Sequence, residues 1–229
     1  MGYVFPLPNP VCLEVIGGNE LFPVHRIYCV GQNYADHALE MGGSPDREPP
    51  FFFSKPADAL VTQPSLPYPS MTANLHHEVE LVVALGAGGR EIAVGDANAL
   101  IFGYAVGVDL TRRDLQTAAK QLGRPWDISK GFDRSAPTSS ILPVSSSGHL
   151  QSGLITLSVN GIERQRGDLK QMIWSIPEII AGLSRYYELQ AGDLIFTGTP
   201  SGVAALEPGD RIRCCIEGVG DLSFKMETV

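Results

Sequence analysis

Positive charge is scarce in this chain: 17 lysines and arginines stand against 25 aspartates and glutamates, a formal net charge of −8. That balance argues against nucleic acid or an anionic membrane surface as a general partner. Long apolar runs are missing as well. Although 44% of the residues are hydrophobic, no stretch is long enough to span a membrane as a helix. The opening Met1-Gly2-Tyr3-Val4-Phe5-Pro6 matches neither a signal peptide nor a myristoylation pattern. The four cysteines, Cys12, Cys29, Cys214 and Cys215, form no C-x-x-C pair, and in apolar strand-like runs they read as reduced core residues of a cytoplasmic protein. Several catalytic signatures are absent too. His77-Glu78 lacks the downstream histidine of H-E-x-x-H, no Gly-Lys-Ser/Thr closes a phosphate loop, and no G-x-S-x-G elbow is present. Zinc peptidase, P-loop and α/β-type serine hydrolase chemistries are set aside on those grounds.

What is present reads as a β-rich α+β chain of 229 residues with a few short helices, large enough to bury a sizeable core. Residues 1–24 form an N-terminal arm, with a hairpin over 11–24 turning at Gly17-Gly18-Asn19, and 25–229 form the main domain. A strand at 27–30 stops at Gly31, Asn33 is placed to cap a short helix ending at Gly42-Gly43, residues 44–50 are a loop, and Phe51-Phe52-Phe53 begins a buried segment. A second helix is expected from Thr111, with a Thr111/Asp114 capping box and Leu115, Ala118, Ala119 and Leu122 inward. A third starts at Ser175, with Pro177 in its first turn, Glu178 three residues on, and Ile176, Ile179, Ile180, Leu183 and Tyr187 on its apolar face.

Three carboxylates carry the most chemical information. Glu78 and Glu80 are two apart at the head of a buried strand, so both leave one face, and Asp109 ends another apolar strand. Like charges gathered there call for a cation, and a hard divalent ion such as Mg²⁺ or Mn²⁺ prefers such oxygen donors. Taken alone, E-x-E on a strand is more often a pair of solvated acids. His37 and Glu40, three apart on the short helix, can pair as a general base with its orienting carboxylate; spacing alone favours a surface polar pair. Lys130, a lone cation among apolar and small residues, suits a snorkelling side chain, an oxyanion partner or a binder of a substrate carboxylate. Arg113 and Gln116 share a helix face that could reach the same pocket; equally, Arg112, Arg113 and Arg124 read as a solvated basic edge. The small residues and amides of 196–203 suit a loop wrapped around an anionic group.

Taken together, Val30-Gly31-Gln32-Asn33-Tyr34-Ala35-Asp36-His37, Phe53-Ser54-Lys55-Pro56, His76-His77-Glu78-Val79-Glu80, Asp109-Leu110-Thr111-Arg112-Arg113-Asp114, 126–132 and Gly198-Thr199-Pro200-Ser201-Gly202 resemble the fumarylacetoacetate hydrolase family. The ordered set runs over nearly the whole chain. The resemblance implies that family's mixed β-sandwich or roll. It also implies metal-dependent hydrolysis of the C–C bond of a 2,4-dioxo acid, an acylpyruvate such as fumarylpyruvate, in aromatic catabolism by the gentisate route. General acylpyruvase and oxaloacetate decarboxylase activities are the nearest rivals, and a catalytically silent metal- or dicarboxylate-binding protein is the reading from another class. By the same resemblance Glu78, Glu80 and Asp109 match Mg²⁺ ligands, with Mn²⁺ as the alternative ion. His37 and Glu40 match the water-activating dyad, and Lys130 the lysine that polarises the attacked carbonyl. Arg113, Gln116 and Thr199 match positions near the carboxylate and oxo group of a small anionic 2-oxo acid. Gln32 departs from the Arg or Lys of many relatives, which leaves the contacts to the substrate's far end undefined. A homodimer is expected on the same ground.

Overall fold

The computed structural model describes residues 2–41 and 48–228. Gly42-Gly43 and residues 44–47 of the expected loop lie outside the described residues. Two sheets dominate. In the larger, the strands run in the order 142–143, 101–108, 79–85, 194–196, 27–30, 52–55, with 194–196 and 27–30 the one parallel pair. The second sheet has the order 162–168, 154–159, 211–216, 220–226, 65–66. Its strands 154–159, 211–216 and 220–226 alternate covered and more exposed positions, the pattern of a sheet covered on one face.

Strand Val79–Leu85 explains how the layers meet. All seven of its residues are buried, as expected of a central strand covered on both faces. Val79, Leu81, Val83 and Leu85 join the main core with Ile155, Leu157, Ile212, Cys214 and Phe224 of the second sheet. Val82 and Ala84 point the other way, into a smaller cluster with Ile27, Cys29, Phe196, Leu13 and Phe22. Glu80 continues that second row. The period of two therefore delivers carboxylates and one apolar cluster to the same face of the sheet.

The N-terminal hairpin closes the apolar end of this face. Cys12–Glu14 pairs with Leu21–Pro23 so that Leu13 lies opposite Phe22, and both are buried against the chain's own sheet. On the opposite side, helix Ile176–Ser184 has the expected Ser175/Glu178 capping box and buries Ile176, Ile179, Ile180 and Leu183. Tyr187 lies beyond the helix, half-exposed, with its ring 4.8 Å from that of Tyr28.

Four local expectations are corrected. The second helix spans Arg113–Leu122, two residues later than expected, because Thr111 pairs with His76 in a short strand and Asp114 accepts from Thr72 Oγ1 and Ala73 N instead of capping. Its inward face is Arg113, Gln116 and Ala119, while Leu122 is 61% exposed. A buried carboxylate, described below, draws the polar face inward. Asn33 does not cap the first helix, Ala35–Glu40, whose N-cap is Tyr34. It is fully buried, donating to Trp174 O and Thr197 O and accepting from Trp174 N, since a buried amide must fill its hydrogen-bonding capacity. Finally, the strand after the loop is Phe52–Lys55, and Phe51 before it is 40% exposed.

Candidate active site

Glu78 immediately precedes strand Val79–Leu85 and Asp109 immediately follows strand Ile101–Val108. The two ends are stitched together by Asp109 N donating to Glu78 O at 2.8 Å. One carboxylate oxygen each from Glu78, Glu80 and Asp109 lies within 4.8 Å of the other two. All three residues are at most 5% exposed, so the alternative of solvated acids on an open face is ruled out.

Three cations surround them. The Arg113 guanidinium pairs with Glu78 Oε1 and also donates to Gln116 Oε1. Lys130, 2% exposed and not a snorkelling surface residue, donates to Glu78 Oε2 at 2.9 Å, Asp109 Oδ2 at 2.6 Å and Thr111 Oγ1 at 2.7 Å. Lys55, also buried, places its Nζ 2.8 Å from Asp109 Oδ1 and donates to the carbonyls of Leu110 and Lys130.

Burial pushes the Glu78 carboxyl upward, but Lys130 and Arg113 outweigh it and hold it well below the usual carboxylate range. Glu80 goes the other way: burial, then the charges of Asp109 and Glu78, push it well above that range. Asp109 Oδ1, though close to Lys55, has no partner in hydrogen-bonding geometry. Oxygen-only donors, one of them short of positive charge and another short of a donor, fit a hard divalent cation.

The loop after strand Leu194–Phe196 supports the cluster in a way the sequence did not announce. Its amides bind the protein's own carboxylates. Gly198 N donates to Glu80 Oε2 at 2.7 Å, and Gly202 N donates to both oxygens of Glu40 at 3.1 and 3.2 Å. Gly198 has φ +98°, and a Cβ there would come within 2.7 Å of Asn33 Cβ, so only glycine fits. Glu40 Oε2 in turn lies 3.2 Å from His37 Nδ1. His37 is 5% exposed and shares the cleft with the carboxylates, so the alternative of a surface pair also falls. The cleft is open to solvent and is lined by His37, all three acids, Arg113, Gln116, Lys130 and Thr199.

A profile of the fumarylacetoacetate (FAA) hydrolase C-terminal family matches residues 26–227. The chain belongs to the fumarylacetoacetate hydrolase family. Relatives in this family include a fumarylpyruvate hydrolase of a Ralstonia species, 44% identical over 77% of this chain and 92% of that protein. An oxaloacetate tautomerase of Escherichia coli is 42% identical over 86% of this chain and 90% of its own length. A crystal structure of fumarylpyruvate hydrolase from Pseudomonas aeruginosa, in complex with Mn²⁺ and pyruvate, is 50% identical, covers 100% of both chains and has a TM-score of 0.98.

Two residues of this family member escaped the sequence reading as site components. Lys55 was visible only as the end of an aromatic strand, though a lysine between Phe53 and Pro56 in a buried segment is itself a sign of a buried partner. Gln165 gave no signal in an otherwise exposed stretch of strand. It is fully buried and uses all four of its hydrogen-bonding positions. Its Oε1 accepts from His77 Nδ1 and Val79 N, and its Nε2 donates to Thr199 Oγ1 and Pro200 O. The amide thus ties both neighbours of Glu78 to the Thr199 loop, and by filling an acceptor position of Thr199 it leaves that hydroxyl to donate. Gln165→Leu is expected to cost on the order of 3 kcal/mol, since it strands several buried polar groups. Thermal unfolding should register this as a fall of roughly 10 °C. An unchanged midpoint would mean that the surrounding groups find other partners.

Proposed function

We propose that this enzyme hydrolyses the C–C bond of a 2,4-dioxo acid, with fumarylpyruvate the acylpyruvate it fits best, giving fumarate and pyruvate. The observation that carries the reading is His37, paired through Nδ1 with Glu40, lining the same cleft as the three buried carboxylates. In this reading residues 25–229 are the catalytic unit, which the 1–24 arm backs through Leu13 and Phe22, and the working form is a cytoplasmic homodimer.

Glu78, Glu80 and Asp109 would hold Mg²⁺ or Mn²⁺, which when bound supplies Lewis-acid stabilisation of the negative charge developing on the pyruvate half. The remaining steps belong to the chain. Glu40, fixed by Gly202 N, accepts from His37 Nδ1 and leaves Nε2 free to take a proton from water. The hydroxide equivalent adds to the C4 carbonyl, and the charge on its oxygen is met by Lys130, which exchanges one of its three present partners for it. When that oxyanion collapses, the C3–C4 bond breaks. Its electron pair passes to the C2–C3 enolate, and the proton held by His37 is available to return at C3. Arg113, Gln116 and Thr199 orient the carboxylate and 2-oxo group at the inner end.

Conversion of oxaloacetate is the second reading, favoured by the similar identity to the E. coli tautomerase. It uses the same enolate but no attacking water. The test is a paired ultraviolet assay on metal-depleted protein given Mg²⁺ or Mn²⁺, with fumarylpyruvate and oxaloacetate followed separately. Rapid metal-dependent loss of fumarylpyruvate is the expected result. Turnover of oxaloacetate alone would overturn the hydrolase reading.

A further inference from the structure

The cleft continues outward from the carboxylates along a wall of three aromatic rings. Trp126 stands 5.7 Å from both Phe51 and Phe53, edge-on to the first at 84° and inclined at 61° to the second. A Cβ on Gly31 would overlap the Phe51 ring, so the wall is seated directly on backbone. An ammonium group marks each end of it. At the buried end Lys130 Nζ lies 5.0 Å from the Phe53 centroid, and at the outer end Lys120 Nζ lies 5.3 Å from the Trp126 centroid.

Lys120 is exposed, but its place on the helix is not incidental. On helix Arg113–Leu122 it follows Gln116 by four residues and Arg113 by seven, so the three share one stripe, and all three line the cleft. Read outward from Glu78, that stripe offers a guanidinium, an amide and an ammonium. Among the described residues no carboxylate lies in ion-pair contact with Lys120, whereas Lys55, Lys130 and Arg113 each have one. Burial, then the charge of Arg113, holds the Lys120 ammonium below its ordinary pKa, as expected for a cation waiting in a partly desolvated place without a counter-charge.

We propose that Lys120, seated on Trp126, binds a second carboxylate at the far end of the substrate, so that the cleft selects 2-oxo acids with two anionic ends separated by a flat apolar segment. The inner cations take the 2-oxo acid end, the rings stack on the middle, and Lys120 takes the distal charge. This inference rests on the reading of the inner end as an acylpyruvate site. It distinguishes long dianions from oxaloacetate, whose second carboxylate is a single methylene from the 2-oxo group and stays within the inner cluster.

The experiment uses the Mg²⁺-loaded enzyme and a matched pair of ligands, 2-oxoheptanedioate and 2-oxoheptanoate. They have the same chain length, differ only in the distal carboxylate, and lack the 4-oxo group that C–C cleavage requires. Calorimetry should show the dianion bound about tenfold more tightly, the size of one charge-assisted contact at a partly exposed site. That ratio should fall towards one in Lys120→Gln and be largely kept in Lys120→Arg. A wild-type enzyme without the preference, or a Lys120→Gln variant that retains it, would overturn the proposal. In turnover, the fumarylpyruvate-to-acetylpyruvate ratio of kcat/KM should fall with the same variant, through KM. If the wild type cleaves neither compound, the hydrolase reading fails, and the calorimetric ratio still decides the role of Lys120.

Discussion

Replacement of His37 by Ala is expected to lower kcat on fumarylpyruvate by about 10²- to 10⁴-fold, the range attributable to one positioned general base. The side chain is buried at the cleft, and its Nδ1 is committed to Glu40, so the ring has one nitrogen left for water. Metal affinity should change little, because the three carboxylates are positioned by strand ends, Lys55, Lys130, Arg113 and Gly198. Measuring kcat by loss of dioxo-acid absorbance and metal affinity by calorimetry on the same preparation separates the two effects. A His37→Ala enzyme within a few-fold of wild type would remove this residue from water activation. Glu40→Gln should be milder, since an amide oxygen can still accept from His37 and Gly202.

Lys130→Met should have the larger structural effect. Its ammonium is shared by Glu78, Asp109 and Thr111, and its removal leaves two buried carboxylates short of a partner. Breaking a buried pair from one side typically costs about 3–5 kcal/mol. Loss of an oxyanion partner typically costs about 10²- to 10³-fold in kcat. The two losses should respond differently to metal. A divalent ion among the same acids replaces the missing charge, so Mg²⁺ should raise the unfolding temperature of Lys130→Met more than that of the wild type, without restoring turnover. Equal increments in the two proteins would show that lysine and ion do not share those carboxylates.

How far the sequence could be read depended on the kind of force involved. Strand Val79–Leu85 and helix Ile176–Ser184 were legible because their periodicity and capping are local. The three acids were legible as a cluster for a similar reason: spacing two on a strand fixes a face, and Asp109 follows a second apolar strand. Helix Arg113–Leu122 was misread in its orientation. Its apolar residues suggested an inward face, yet a guanidinium and a buried carboxylate 35 residues away interact more strongly than a few partly covered leucines. Asn33 had the right chemistry for a cap but was claimed by Trp174 and Thr197, distant in sequence. Gln165 and Lys55 were missed because a buried polar hub is defined by its partners, and those arrive only with the tertiary fold.

The contact between Glu40 and Gly202 also limits how this active site can diversify. Gly202 has φ +96°, and a Cβ there would run into the Arg164 carbonyl, so the position is closed to other residues on backbone grounds alone. Its N–H also steadies the carboxylate that orients His37. One backbone position, 162 residues from Glu40 in sequence, thereby fixes the loop's path and the alignment of His37, the proposed base, together. Descendants of this chain that acquire new substrates would have to keep that joint untouched. Their freedom lies along the aromatic wall and at Gln32 and Lys120, so a lineage could exchange what it recognises while inheriting the proposed water-activating pair unchanged.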